Sequence, residues 1–301
     1  MLMTTIWRAR LSTRPTIKFS RRCARRSSAI WYKITMHRLV IAPLLTLLSL
    51  GATAQSAIQP TDWASYSGSA FDADTNKLVY TEVHQLALAA DEVLERWVSY
   101  RCPNGRAFAR KRVQRSRLPA VPSFALEDRR LDYSEGLEVG SDKVAVFVRE
   151  AGNKATIREV LEDVPSNLVA DAGFDVFVRD QWDALVAGET VRFEFLVPSR
   201  LDFLGFKVRQ TGEDTIDGRA VRTFRLALGG VLGLVVSGID VTYDAESRTL
   251  LRFSGLSNVR GPDGDNYVVR IDFSPAARKA EDGREALDAA RTEELVSSCE
   301  A

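Results

Sequence analysis

The segment VRFEFLV, which spans residues 191 to 197, decides the fold class. Arg192 and Glu194 lie on one face of this segment. The other face carries Val191, Phe193, Phe195 and Val197. A period of two residues with one apolar face is typical of a half-buried antiparallel strand. The segment VVRIDF, residues 268 to 273, repeats the alternation, so we predict an antiparallel sheet with one covered face.

Turn signals divide the chain on both sides of these two segments. Asp217-Gly218 is a strong signal for a two-residue hairpin. Longer hairpin loops are predicted in YDAESRTL, around Asp244, and in GPDGDN, residues 261 to 266. The stretch 190–273 is therefore predicted to be a meander of five or six strands.

The first half of the chain has the same character. Its predicted strands lie in LVYTEVHQLAL, ERWVSYRC, AFARKRVQRS, SFALEDRRLDYSEG, KVAVFVRE and ATIREVLE, which fall between residues 78 and 162.

A helical period separates the two halves. In residues 166 to 188 an apolar stripe recurs at spacings of four, four and three. The stripe consists of Phe174, Val178, Trp182 and Leu185. We predict a helix from about 167 to 187, with Ser166 or Asn167 as its N-cap and Gly188 at its end. A second helix is predicted to begin at Ser274-Pro275 and to run to about Val296.

An apolar helix stripe and an apolar strand face each need a partner, and each can cover the other. The predicted fold is therefore mainly β, with some α. It consists of one strongly curved antiparallel sheet or half-barrel, a mid-chain helix in the concave side, and a C-terminal helix. We assign residues 55–273 to this β domain and 274–301 to a C-terminal helical tail.

The charge of the chain is unevenly placed. Residues 1–54 hold ten Lys and Arg and no acid, which leaves 31 basic and 40 acidic residues in the rest, a net charge of −9. From Met36 onward a short basic start, an apolar run at 39–50 and the small residues Ala52-Thr53-Ala54 follow one another. This order is typical of a secretory signal peptide. We therefore predict a signal peptide at 36–54, cleaved near Ala54, and a periplasmic location.

Two alternatives remain open at this end of the chain. The apolar run of about twelve residues is short of the roughly twenty that span a bilayer, so an uncleaved anchor is the less favoured interpretation and no stable transmembrane span is expected. Residues 1–35 form a basic extension that need not be translated. The pair Arg21-Arg22 is a weak match to twin-arginine export signals.

Two cysteines remain outside the leader, Cys102 and Cys299. In an oxidising compartment they are a candidate disulfide pair, and two unpaired thiols are the alternative.

The chain offers little for catalysis. His84 is the only histidine outside residues 1–54, so multi-histidine metal sites are not expected, and a serine hydrolase would depend on this one residue. No nucleophile-elbow or phosphate-loop motif occurs. We therefore expect no enzyme activity and no cofactor, with a His84-dependent hydrolase as an alternative.

The segment DADTNK resembles the start of a calcium loop, with Asp72, Asp74 and Asn76 at ligand positions. Lys77 and Val83 stand where such a loop needs Gly and Glu, so a turn between strands is favoured.

The run RCPNGRAFARKRVQRSR, residues 101–117, holds seven basic residues and no acid. As a strand it places Arg110 and Arg112 on one face and Lys111, Arg115 and Arg117 on the other, so no single basic face results. We predict cross-strand ion pairs with acids that follow the next loop. These acids are Glu127, Asp128, Asp132, Glu135 and Glu138. Because the body is acidic, no nucleic-acid partner is expected.

Two stretches are apolar where polar turns are usual. They are FLVPSRLDFLGFKV, residues 195–208, and ALGGVLGLVVSG, residues 227–238. They are either flaps at the mouth of a lipid-sized cavity or core strands with glycine bulges.

The layout resembles the periplasmic lipoprotein carriers LolA and LolB, and secreted proteobacterial proteins related to them. The likeness is carried by the mid-chain helix before GETVRFEFLV and by the runs VRQTGEDTIDGRAVRTFRLAL and IDVTYDAESRTLLRFSG. It covers about a third of the chain, within 190–273. The resemblance implies an apolar groove for acyl chains, and it transfers no individual binding residue.

We therefore expect a periplasmic, non-enzymatic protein that binds a lipid, an acyl chain or a lipoprotein between sheet and helix. The candidate lining residues are Phe174, Val178, Trp182, Phe203, Phe206 and Leu232. The alternative is an envelope scaffold or assembly factor that binds a protein partner through its sheet and has no ligand cavity. The sequence does not determine the oligomeric state.

Overall fold

The computed structural model describes residues 58–90, 92–229, 238–274 and 283–300. The leader predictions for residues 1–54, the predicted helix start at Pro275 and the candidate Leu232 lie outside the described residues.

The described residues form fifteen strands in one sheet. In the first half of the chain they are β1 (Asp62–Asp72), β2 (Leu78–Ala89), β3 (Glu92–Arg101), β4 (Ala107–Gln114), β5 (Ser123–Asp128), β6 (Tyr133–Val139), β7 (Val144–Arg149) and β8 (Ile157–Leu161). In the second half they are β9 (Leu168–Val169), β10 (Val191–Val197), β11 (Asp202–Ile216), β12 (Arg219–Leu228), β13 (Ile239–Asp244), β14 (Leu250–Arg260) and β15 (Asn266–Phe273).

The strand order is two meanders joined at β1. Across the sheet it runs β8-β7-β6-β5-β4-β3-β2-β1-β15-β14-β13-β12-β11-β10-β9. Neighbours are antiparallel, except for the short parallel pair of β9 and β10. Six strands fill 190–273, as the sequence predicts, and Asp217 and Gly218 form the hairpin turn with φ of 50° and 77°.

Two short helices, α1 (Gly173–Asp180) and α2 (Trp182–Val186), pack on one face of β10–β13, which we call the inner face. A 3-10 turn, Pro198–Arg200, joins β10 to β11. A further helix, α3 (Gly283–Thr292), packs against β1–β3 on the opposite, outer face.

The mid-chain helix begins later than the sequence predicts. Residues 168 and 169 pair with β10, and Ala170 donates its N–H to the Ala120 carbonyl, 2.9 Å away. Asp171 then adopts a left-handed φ of 43°, so helical backbone starts only at Gly173 and without a side-chain cap. The predicted start near 167 with a Ser166 or Asn167 cap is therefore wrong. The end agrees with Gly188, which has a φ of 89°.

The sheet curls until its two ends share a core. Leu168 and Leu196 from β9 and β10 pack with Val113, Phe124 and Leu137 from β4–β6. The edge strands β8 and β9 are not neighbours in the described sheet. The predicted fold class is confirmed: the protein is mostly β, with one large curved sheet that is not closed, a mid-chain helix on its inner face and a C-terminal helix.

Among the described residues, no helix has the length and apolar character needed to cross a membrane.

Candidate functional site

Four of the predicted lining residues lie together on the inner face. Val178 and Trp182 are buried there, and the Trp182 ring stands edge-on to Phe224 at 5.2 Å and to Tyr243 at 6.0 Å between centroids. Phe174 and Phe206 pack at the margin of the same core. Phe203 lies apart, against the core that joins the two ends of the sheet.

Aromatic side chains continue from this core along one flank of α1. We call them the phenylalanine cluster: Phe174, Phe177, Phe193, Phe195 and Phe206. Their neighbouring ring centroids are 4.8 to 6.4 Å apart. Only Phe193 is buried, and the other four rings are half-buried. Phe195 and Phe206 come from the first apolar stretch, 195–208, which forms the β10–β11 hairpin.

A group of charged and polar side chains occupies the inner face beyond the other flank of α1. We call it the polar cluster: Tyr66, Glu82, His84, Arg96, Lys111 and Asp171. Register explains how the strands assemble it. Tyr66 on β1 lies opposite His84 on β2, and Val98 on β3 separates His84 from Lys111 on β4. Residues opposite one another in a ladder share a face, so Tyr66, His84 and Lys111 all lie on the inner face.

His84 is held in a defined orientation. Its ring stacks on Tyr66 at 4.3 Å with an interplanar angle of 8°, and its Nε2 lies 3.0 Å from a Glu82 carboxylate oxygen. Because a carboxylate only accepts, Nε2–H is the donor and Nδ1 is left as an acceptor. Burial lowers the pKa of His84 and outweighs the opposing effect of Glu82, so the ring is neutral.

Asp171 connects the sheet to the start of α1. Its Oδ1 accepts from the Lys111 ammonium at 2.9 Å and from the Asn258 amide at 3.3 Å. Lys111 is almost fully buried, so this pair lies away from water. The second carboxylate oxygen, Oδ2, is buried and has no hydrogen-bond partner among the described residues.

Arg96 lies two residues along β3 from Val98, on the same face. Burial disfavours its charged form, but the electrostatic effects of Tyr66, Asp175, Asp171 and Glu82 outweigh it and raise the pKa of Arg96. Its Nε is buried and, within the described part of the chain, has no partner. Asp171 of the polar cluster lies two residues before α1, whereas Phe174 and Phe177 of that helix contact Phe193. Helix α1 therefore adjoins both clusters.

Glu135 extends the polar cluster along β6. The Tyr133 hydroxyl donates to Glu135 at 2.7 Å, and the Arg260 guanidinium lies over the Tyr133 ring at 4.1 Å. Burial raises the pKa of the Glu135 carboxyl.

The polar cluster is the part of the site that sequence reasoning missed. The available signal was the period-two spacing of Glu82 and His84, which places both on one strand face. Nothing in the spacing shows that Lys111 lies on the inner face. Nor does it show that Lys111 pairs with Asp171, which is 60 residues further along the sequence.

The basic run 101–117 is neutralised by acids from several parts of the chain, and in the described ion pairs Glu127 alone comes from the predicted set. Arg110 pairs with Glu127 as predicted. Arg112 pairs with Glu95, and Arg115 pairs with Glu92. The other predicted partners bind elsewhere among the described residues: Asp128 pairs with Arg130, Asp132 with Arg149, Glu138 with Arg158, and Glu135 accepts from Tyr133. That part of the prediction is wrong, because Glu95 and Glu92 of the neighbouring strand β3 lie within ion-pair distance of Arg112 and Arg115.

The C-terminal tail crosses the outer face beside this run. A disulfide joins Cys102 to Cys299, with 5.4 Å between their Cα atoms. The Val296 N–H donates to the Ala107 carbonyl at 2.8 Å, and Glu293 pairs with Arg101. A surface cavity of about 690 Å³ lies between this tail and the β5–β6 turn. Its charged lining residues are largely paired with one another, so it is a weaker candidate site.

The calcium-like segment forms a turn, as predicted. Asp72 Oδ1 accepts from the N–H and hydroxyl of Thr75, at 2.7 and 2.6 Å. No group of three or more His, Cys, Asp or Glu side chains is placed to hold a metal ion within the described residues.

The solved structures that are similar to this chain include the following two. A β-barrel-like protein of the domain of unknown function DUF1849 from Brucella abortus has a TM-score of 0.46 and 10% identity, over 75% of this chain and 99% of that chain. A DUF1329 family protein from Desulfovibrio piger has a TM-score of 0.29 and 11% identity, over 74% of this chain and 87% of that chain. Searches of protein-family models and of curated proteins give no match. These similarities are too low to carry an argument about function.

Proposed function

We propose that the chain is a secreted, periplasmic, non-enzymatic protein that binds an amphiphile by its acyl chain on the inner face of the sheet. The phenylalanine cluster carries the proposal, because four of its five rings are half-buried and stand side by side. Soluble proteins rarely leave contiguous apolar surface open to water unless a ligand or partner uses it.

Two sequence features support this proposal. The signal-peptide pattern at 36–54 directs the chain out of the cytoplasm. The turn motifs within 190–273 resemble those of lipoprotein carriers, whose grooves accept acyl chains.

Displacement of the dye N-phenyl-1-naphthylamine from residues 55–301 by methyl decanoate tests the proposal. Phe177→Ser and Phe206→Ser should each weaken binding by roughly tenfold or more, because each removes the apolar area of one ring. Phe71→Ser is the matched control, since Phe71 lies on the outer face beside Arg270. Equal binding by all four proteins, or no binding by the unaltered protein, would contradict the proposal.

The location has its own test. Expression of the full chain in a Gram-negative host should yield periplasmic protein whose N-terminus, determined by sequencing, follows Ala54. Retention in the cytoplasm with an intact N-terminus would refute the secreted assignment.

The edge strand β8 supports a second candidate function, an envelope scaffold that binds a protein partner by strand addition. Ile157 and Val160 on β8 are each 51% exposed, and among the described strands only β7 pairs with β8. Exposed edge strands accept a further strand from another chain. A photo-crosslinker at Val160 should then give one discrete adduct in the periplasm, which Glu159→Pro abolishes. An absence of adducts would reject this candidate.

A further inference from the structure

Three buried atoms of the polar cluster have no hydrogen-bond partner among the described residues: His84 Nδ1, Arg96 Nε and Asp171 Oδ2. His84 is 93% buried, since 7% of its surface is exposed. Buried polar atoms in native proteins are nearly always satisfied by protein, by water or by a ligand. The three atoms belong to β2, β3 and the β9–α1 junction, within one group of charges, and a bound group would satisfy all three.

The hydrogen-bonding pattern of these atoms defines the complementary ligand. His84 Nδ1 accepts, because its Nε2–H is used by Glu82. Asp171 Oδ2 also accepts, and Arg96 Nε–H donates. The ligand must therefore donate two hydrogen bonds and accept one.

The charges of the six residues that define the polar cluster cancel, and the nearby Asp175 is paired with Arg179. Lys111 is paired with Asp171, the buried His84 ring is neutral, and the charge of Glu82 opposes that of Arg96. A ligand with a net charge would bring an uncompensated charge into this buried region, which is strongly unfavourable. Hydroxyl groups both donate and accept without carrying charge.

We infer that the polar cluster binds an uncharged polyhydroxyl group, such as the glycerol head of a monoacylglycerol. Hydroxyls of the ligand donate to His84 Nδ1 and Asp171 Oδ2, and a ligand oxygen accepts from Arg96 Nε–H. The inference rests on the proposed function, because the acyl chain of the same ligand would lie on the phenylalanine cluster at the other flank of α1. A free polyol presents the same chemistry without the chain.

Two amphiphiles with the same acyl chain distinguish the polyhydroxyl site from the acyl-binding proposal. 1-Decanoylglycerol carries two hydroxyls, whereas methyl decanoate carries none. The glycerol ester should displace the dye from residues 55–301 at a concentration at least about tenfold lower, the effect of one to two net hydrogen bonds. Equal potency would overturn the polyhydroxyl site and leave the acyl-binding proposal standing.

Failure of both amphiphiles to bind would overturn the acyl-binding proposal alone. Glycerol without a chain then decides the site. His84 is the only histidine in residues 55–301, so its imidazole resonances can be followed by NMR. Saturable glycerol-dependent shifts of these resonances support the polyhydroxyl site, and their absence overturns it.

Conservative variants test whether Arg96 Nε and Asp171 Oδ2 cause the tighter binding of the glycerol ester. Arg96→Lys keeps the charge and removes the Nε–H donor. Asp171→Asn, made together with Lys111→Met so that no buried charge is left unpaired, keeps the shape and replaces one acceptor with an amide donor. Each variant should lower the affinity for 1-decanoylglycerol by roughly tenfold and change the affinity for methyl decanoate by less than about twofold. The unchanged methyl decanoate affinity also reports that the variant is folded. Arg225→Lys, in the outer Arg225–Asp240 pair, is the matched control and should change neither affinity. Full retention of glycerol-ester binding by both inner variants would refute the assignment.

Discussion

At the scale of single residues, Gly173 fixes the place where α1 begins. A Cβ at this position would lie 2.1 Å from the Ala120 carbonyl oxygen and 2.7 Å from Pro122 Cδ. The contact is with backbone, so it cannot be relieved by rotating a side chain. Glycine is required here by close packing, because its own φ is not left-handed.

Gly173→Ala should therefore lower the free energy of unfolding by about 2 kcal/mol or more, the range for overpacking in a tightly packed region. Gly212→Ala is the matched control, because a Cβ there meets nothing within 4 Å, and it should be close to neutral. Urea denaturation of both variants measures the difference. Similar stability of the two would show that the Ala120 loop moves freely.

His84 gives the protein a specific pH dependence. Burial holds the pKa of His84 below the usual 6.5 in the folded protein. The charges of Arg96 and Lys111 also lower this pKa, and Glu82 raises it. As the pH falls below 6.5, His84 binds a proton in the unfolded chain but stays neutral in the folded chain. The free energy of unfolding therefore falls, by up to about 1.4 kcal/mol per pH unit. Above pH 6.5 both states are neutral at this residue and the effect vanishes.

Urea denaturation between pH 7.5 and 5.5 should show this loss in the unaltered protein and a smaller one in His84→Gln, whose amide still donates to Glu82. The buried Glu135 titrates with the opposite sign, because its pKa is raised, but its contribution is shared by both proteins and cancels in the difference. Parallel pH curves for the two proteins would contradict a buried, neutral His84.

At the scale of elements, the Lys111–Asp171 pair ties β4 to the junction of β9 and α1. Lys111→Met would leave the Asp171 carboxylate buried without its charged partner, which should cost about 3 kcal/mol or more. The double variant with Asp171→Asn should recover much of that loss, because the neutral amide leaves no buried charge unpaired. Asn also tolerates the left-handed φ of 43° at this position. Arg115→Met, in the exposed Arg115–Glu92 pair, should cost less than about 1 kcal/mol. Equal costs for the inner and outer pairs would show that the inner one is solvated.

The same elements show where sequence reasoning works and where it stops. Strands with strong alternation, such as β10 and β15, were predictable because period two and flanking turns are local properties. Strand β1 was not predicted, since its inward positions include the small residues Ala64, Gly68 and Ala70, and the alternation is weak. The polar cluster was also out of reach, because it depends on the register of several strands and on the approach of Asp171 across the sheet.

At the scale of the whole molecule, the C-terminal tail, residues 283–300, lies across the outer face of the sheet. Helix α3 covers Trp63 on β1 through Gly283, and Glu95 on β3 binds both Arg112 and Arg291. The pKa of Glu95 is lowered because these two guanidiniums outweigh its burial. The disulfide then closes a loop across 197 residues of sequence separation, which contains twelve of the fifteen described strands, β4 to β15.

Removing the disulfide should destabilise the entire domain, because the crosslink restricts the unfolded chain as well as the tail. Cys102→Ser, Cys299→Ser and the double variant should each lose about 2–4 kcal/mol of unfolding free energy, with nearly equal values. Urea denaturation of oxidised and reduced protein measures this, and reduced unaltered protein should match the variants. The local effect is separate: trypsin should cleave after Arg291 faster in the variants, since the end of the tail is then held by noncovalent contacts alone, such as those of Val296 and Glu293. A double variant whose loss equals the sum of the single losses would show that the two cysteines stabilise the fold independently, by packing rather than by their bond.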